Sequence, residues 1–281
     1  MKHFLFFAML LGFGFSGQVP ADTLVLIHGY LGSATSWETS GVNAALASQG
    51  WSPAGQLMMG PGGVDWLPAP GVNAARRTYA VDLPSLAPLA LQADHLAAML
   101  RFIEQRHGQE PIILAGHSAG GVVARLALVR GGAGQVKTLI TLASPHLGTE
   151  RAIQALDCTN DHWPVSWVKR FFGGTQYQVV RDSWGVLLDL VPAQPGSLLG
   201  WLNGQPHPDI RYVSILRSGP VGLGDELVPI YSQDMNQVDA LRGKSETLTV
   251  ASGHALHPED GLALAQLLGH DQKTSQSTAT R

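Results

Sequence analysis

The chain has 281 residues, 45% hydrophobic and 14% charged, with a formal net charge of −3 at pH 7. That balance supplies a large apolar core and excludes intrinsic disorder. The slightly negative charge, with no cluster of Lys and Arg, excludes nucleic acid as a partner. A single cysteine, Cys158, excludes an intrachain disulfide and a cysteine-based metal site.

Residues 1–21 read as a secretory signal peptide. Lys2 and His3 precede an apolar run from Phe4 to Phe15 that is too short to cross a bilayer. Val19 and Ala21 stand where small residues mark a cleavage site, and cleavage after Gly17 is the alternative. Export would put the mature chain in a periplasmic or extracellular space, secreted or periplasmic. Gly12-Phe13-Gly14-Phe15-Ser16-Gly17 spells a dinucleotide fingerprint, but no folded strand leads into it and no amphipathic helix leaves it.

Strand and helix patterns then alternate. Thr23–Ile27 is a continuous apolar β run, as expected of a strand covered on both faces, and ends in His28-Gly29-Tyr30-Leu31-Gly32. Ser33 to Ser36 can cap a helix that reaches Gln49 and stops at Gly50. Residues 51–75, rich in Gly and Pro, read as a long surface loop. Arg76–Val81 is a second strand. Leu96, Met99, Leu100 and Ile103 recur at helical spacing and predict a helix over 90–107, ended by Gly108. Pro111–Ala115 is a strand, Val122–Val129 a helix and Val136–Leu142 a further strand. The alternation predicts an α/β fold with a mostly parallel central sheet and helices on both faces. In such sheets the working residues lie at the C-terminal ends of strands, where His28, Ser118 and Ser144 fall.

Between the strand at 111–115 and its helix stands Gly116-His117-Ser118-Ala119-Gly120, followed directly by Gly121. Small residues on either side let strand and helix approach closely, and the serine hydroxyl is held out at the sheet edge, as in a nucleophile elbow. This stretch resembles the α/β-hydrolase family, and within it the bacterial triacylglycerol lipases and esterases. Ser144-Pro145-His146-Leu147-Gly148-Thr149 and Gly224-Asp225-Glu226-Leu227-Val228-Pro229 resemble stretches of the same family. The resemblance implies a triad in the order serine, acid, histidine. Ser118 matches the nucleophile. Asp225, after the strand-like Ile210–Leu216, matches the acid, with Glu226 and Asp234 as rivals. His254, after the last strand Thr247–Val250, matches the base, with His257 as the alternative. His146 comes too early for the base and reads as a structural hydrogen-bonding residue. The backbone N–H groups of Tyr30 and Ala119 match the two donors of the oxyanion hole.

Residues 150–208 break the rhythm. Trp163, Trp167, Phe171 and Phe172 cluster with Lys169 and Arg170, and apolar stretches follow at 186–191 and 198–202. This block reads as a helical cap inserted between core segments 22–149 and 209–269, able to touch a lipid surface transiently. Gly261–Leu268 completes the final helix, and 270–281 is a polar tail. No cofactor is expected. Lipases of this type often bind a structural calcium ion, but no carboxylate set here can be assigned to one. The expected function is an exported serine hydrolase cleaving carboxylic esters, lipid esters first, through an acyl-enzyme. A phospholipase, a thioesterase, a lipid-linked deacylase and a non-catalytic binding scaffold are the alternatives. The oligomeric state is not set by the sequence.

Overall fold

The computed structural model describes residues 22–70, 74–131, 134–157 and 176–279. The N-terminal half comprises β1 (Asp22–Ile27), α1 (Ser36–Thr39), α2 (Val42–Ser48), β2 (Ser52–Gly60), β3 (Gly63–Pro68), β4 (Arg76–Asp82), α3 (Leu89–His107), β5 (Ile112–His117), α4 (Ala119–Val129) and β6 (Val136–Leu142). Then come α5 (Glu150–Asp157), α6 (Gln176–Asp182), α7 (Trp184–Asp189), α8 (Leu198–Asn203), β7 (Arg211–Arg217), α9 (Ile230–Gln233), β8 (Ser245–Val250) and α10 (Pro258–Ala279).

The strands form one eight-stranded sheet in the order β3-β2-β4-β1-β5-β6-β7-β8, parallel throughout except for the β2–β3 hairpin. The pleat of β1 explains why its sequence is apolar without alternation. Val25 and Ile27 join one core, with Leu96, Met99 and Val122 of α3 and α4. Leu24 and Leu26 join the other, with Trp37, Leu46 and Leu264 of α1, α2 and α10. The central strands are therefore buried on both sides and must be apolar on both.

Three regions depart from the sequence reading. Residues 51–75 are not mainly loop: 52–68 form the β2–β3 hairpin at one sheet edge, turned at 60–63. Ala54 and Leu57 face the core, Trp66 Nε1 donates to the Ala54 carbonyl at 3.2 Å, and the Arg106 guanidinium stacks 3.9 Å from the Trp66 ring centre. The glycines and prolines that suggested a loop sit at the turn and at a register shift between Pro53 and Gly55. The predicted helix ending at Gln49 is instead two short helices, α1 and α2, parted at Ser40 and Gly41. The final helix does not end at Leu268: α10 continues to Ala279, since no proline and no glycine after Gly269 interrupts it.

Helices α5 to α8 lie in the chain between β6 and β7, where the cap was expected. They dock on the core: Asp189 of α7 accepts the N–H of Leu89, at the start of α3, at 2.8 Å. The signal-like segment 1–21, Cys158 and the cluster Trp163, Trp167, Phe171 and Phe172 fall outside the described residues. Among the described residues, no helix is long and apolar enough to cross a membrane, and no group of His, Cys, Asp and Glu could hold a metal ion.

Candidate active site

Ser118 sits between β5 and α4 with φ +52° and ψ −128°, a conformation non-glycine residues rarely adopt. Such strain costs about 1–3 kcal/mol and persists only where the surroundings enforce it. Here the Ser118 N–H donates to the Leu142 carbonyl at 2.8 Å, and its own carbonyl accepts the N–H of Gly121 at 3.1 Å. Position 120 must be glycine for a simple reason of space: a Cβ there would stand 2.4 Å from the His28 carbonyl oxygen. That close approach draws the elbow against the turn that follows β1.

The side chains of Ser118, His254 and Asp225 meet. His254 Nε2 lies 2.8 Å from Ser118 Oγ, and His254 Nδ1 lies 2.9 Å from Asp225 Oδ2. A carboxylate can only accept, so Nδ1 carries the ring proton and Nε2 is left to accept from the serine hydroxyl. The Asp225 carboxylate is fully shielded from solvent, and His254 is 7% exposed. The N–H groups of Leu227 and Val228 donate to Asp225 Oδ1 at 2.8 and 2.7 Å and aim the other oxygen at the ring. From below, Thr149 Oγ1 donates to the Leu227 carbonyl and Ser232 Oγ to the Gly148 carbonyl, so the 143–149 segment braces the acid loop.

The turn after β1 is locked by His28. Its Nε2 accepts the Leu83 N–H at 3.0 Å, so its Nδ1–H donates to the Gly29 carbonyl at 2.9 Å. Burial pushes the His28 pKa down and keeps this ring neutral. Neither the Tyr30 N–H nor the Ala119 N–H has a hydrogen-bond partner among the described residues. The Tyr30 side chain reaches the inserted helices: its hydroxyl lies 2.8 Å from Ser183 Oγ. Ser183 Oγ gives its own proton to the Val179 carbonyl, so Tyr30 is the donor.

The rival residues sit elsewhere. Glu226 accepts the backbone N–H of His254, 3.2 Å from each carboxylate oxygen, and does not meet the ring. Asp234 accepts the Asn236 N–H at the start of a 3₁₀ turn. His257 is exposed, and its N–H donates to Asp260. His146 is buried between Thr141 and Arg125, with Nε2 and Nδ1 both at 3.2 Å, and burial drives its pKa well down.

Two supports escaped the sequence reading. Arg125, wholly buried in α4, donates to Asn203 Oδ1 at 2.8 Å and lies within hydrogen-bond reach of His146 and His207, tying the elbow helix to α8. A lone charge in the otherwise apolar run 119–129 was the available signal. His117 is the second. Its Nε2–H donates to the His254 carbonyl at 2.8 Å, and the two rings lie 5.1 Å apart. Burial, then the neighbouring His254, pushes the His117 pKa down to about 3, so His117 places no cation beside the His254 ring. The peptide of His254 is thus gripped on both sides, by the residue before Ser118 and the residue after Asp225. If the site hydrolyses esters as proposed below, His117→Phe is expected to lower kcat by up to ~10² with little change in KM, through misplacement of the ring, and His117→Gln to recover most of it. Steady-state kinetics on one soluble ester checks this.

The sequence model of the PGAP1-like alpha/beta domain matches residues 19–174, more than half of the chain. The chain belongs to this family. The matched part of the PGAP1-like domain contains the turn after β1, the elbow and the 143–149 segment, and ends before Asp225 and His254. No curated protein matches the chain. Among solved structures, the mature form of the Bacillus licheniformis lipase BlEst2 is similar at TM-score 0.60 and 18% identity, covering 89% of this chain and 94% of that one. An extracellular alpha/beta-hydrolase from a Paenibacillus species is similar at TM-score 0.50 and 13% identity, covering 88% and 97%. The pyrethroid hydrolase PytH is similar at TM-score 0.51 and 16% identity, covering 92% and 100%. At these identities the likeness is one of fold: the PGAP1-like domain has the α/β-hydrolase fold, with an eight-stranded, mostly parallel sheet.

Proposed function

We propose that this PGAP1-like domain is an exported serine hydrolase that cleaves carboxylic esters, lipid esters first, through an acyl-enzyme. The observation that carries the reading is the unbroken chain from Ser118 Oγ through His254 to Asp225, with contacts of 2.8 and 2.9 Å. A serine hydroxyl is a poor nucleophile unless a base lies within hydrogen-bond reach, and histidine has the pKa range for that work.

His254 Nε2 takes the hydroxyl proton as Ser118 Oγ bonds to the ester carbonyl carbon. The carbonyl oxygen becomes an alkoxide, and the free N–H groups of Tyr30 and Ala119 receive it. When the C–O bond to the alcohol breaks, the imidazolium returns its proton to the leaving alkoxide. Water then repeats the sequence on the acyl-serine and frees the acid. Asp225 holds the ring in the tautomer this needs and stabilises the imidazolium.

Apolar side chains favour a lipid acyl group. Trp184 and Leu188 of α7 and Trp201 of α8 stand 45%, 53% and 46% exposed on the inserted helices, and Leu31 projects from the turn beside Tyr30. The signal-like segment 1–21 favours export. A p-nitrophenyl ester series from short to long acyl chains, above and below the solubility limit, tests the reading together with fluorophosphonate labelling of Ser118. Hydrolysis rising toward long chains is the expected result. Absence of both turnover and labelling in folded protein would leave a binding scaffold instead.

A further inference from the structure

We propose that Gln233 is a positioning residue for the acid: it fixes the Asp225 loop to the same strand end that anchors the His254 loop, a step that rests on the hydrolase reading above. Gln233 closes α9 and is buried, an uncommon place for a long polar side chain. Its amide can face only one way. The Arg217 N–H donates to Oε1 at 2.6 Å, so Nε2 and its protons turn toward the acid loop.

Those protons are spent around Asp225. Nε2 donates to the Val228 carbonyl at 2.8 Å, and its second proton is shared between the Arg217 carbonyl at 3.2 Å and Asp225 Oδ2 at 3.4 Å. The contact at 3.4 Å is weak alone. Its weight comes from Val228, whose N–H holds Asp225 Oδ1. One side chain therefore pins the residue that grips one carboxylate oxygen and borders the oxygen that faces His254. The N–H groups of Leu227 and Val228 hold Oδ1 only, and would leave Oδ2 to swing about it.

Arg217 is the shared anchor. It ends β7, and its guanidinium pairs with Asp260 inside the protein. The other Asp260 oxygen accepts the His257 N–H at 2.9 Å, which fixes the loop between His254 and α10. The acid loop is thus tied to the Arg217 backbone by Gln233, and the base loop to the Arg217 side chain by Asp260. Asp225 and His254 are 29 residues apart in the chain, and both are held in reference to this one residue. A misplacement of about 1 Å can cost ~10² in rate, so Gln233 reaches the chemistry without touching substrate.

The test is a double-mutant cycle between Gln233→Met and Asp225→Asn on the full protein, with kcat and KM measured on one soluble p-nitrophenyl ester. Methionine keeps roughly the length and makes none of these hydrogen bonds. Alone, Gln233→Met should lower kcat by ~10–10² and leave KM within about twofold. In the Asp225→Asn background the same change should cost less than about twofold, because the carboxylate it would misplace is gone. Should Gln233→Met fail to fold, Gln233→Glu goes through the same cycle. It keeps the shape and the bond from the Arg217 N–H, and turns a second carboxyl oxygen toward Asp225, so its loss in kcat should also vanish when residue 225 is asparagine. Equal losses in the two backgrounds, a loss carried by KM, or full activity in the single variant overturns the proposal and leaves the hydrolase reading standing. Wild-type protein that neither cleaves the ester nor takes a fluorophosphonate on Ser118 overturns the hydrolase reading and this inference with it.

Discussion

Ser118→Ala is expected to lower kcat on any ester by about 10⁶, and His254→Ala by about as much, with the double variant hardly worse than either alone. The reason lies in the single contact between Ser118 Oγ and His254 Nε2, 2.8 Å long. Remove the oxygen and no bond to the acyl carbon can form. Remove the imidazole and the oxygen keeps its proton and does not attack. What survives is the binding contribution of the turn after β1 and of the Tyr30 and Ala119 N–H groups, a residual ~10³–10⁴ over water. Ser118→Ala should fold normally, because the replaced hydroxyl meets only the base and the strained backbone is held by its own hydrogen bonds. Circular dichroism and single-turnover kinetics on purified variants measure both. If His254→Ala kept full activity while His257→Ala lost it, the base would pass to His257.

Asp225→Asn is the second large effect, about 10⁴ in kcat. An asparagine can keep the bonds from the Leu227 and Val228 N–H groups with its carbonyl oxygen. It then turns an NH₂ group toward His254, where the carboxylate had accepted. Nδ1 must accept instead, the proton moves to Nε2, and the ring can no longer receive the serine proton. Glu226→Gln makes the matching control. The glutamine oxygen still accepts the His254 backbone N–H, so the loss should stay under ~10-fold. Equal losses in the two variants would divide the acid role between neighbouring carboxylates.

The parts of this site legible in the sequence are those dictated by local backbone geometry. The Gly116–Gly121 stretch announces its turn because strand and helix can meet so closely only with small residues. The apolar runs of β1, β5 and β6 announce a sheet covered on both faces. Asp225 and His254 came instead through likeness to known hydrolases, since nothing local says that two loops 29 residues apart will meet. The β2–β3 hairpin was hidden by Gly60, Pro61, Gly62 and Gly63, which are turn residues and mark a loop as readily as a hairpin. His117 and Arg125 went unread, and Glu226 was read only as a rival for the acid, for another reason. Each acts on a group more than 20 positions away in the chain, so its role exists only after folding.

The bond from the Tyr30 hydroxyl to Ser183 joins the turn after β1 to the junction of α6 and α7. Burial raises the Tyr30 pKa, so the phenol remains a proton donor across the neutral range. The same residue therefore presents its amide to one task and its ring to another. Displacing α7 would either sever this tether or drag the amide with it, so the placement of the inserted helices and that of the turn are mechanically linked.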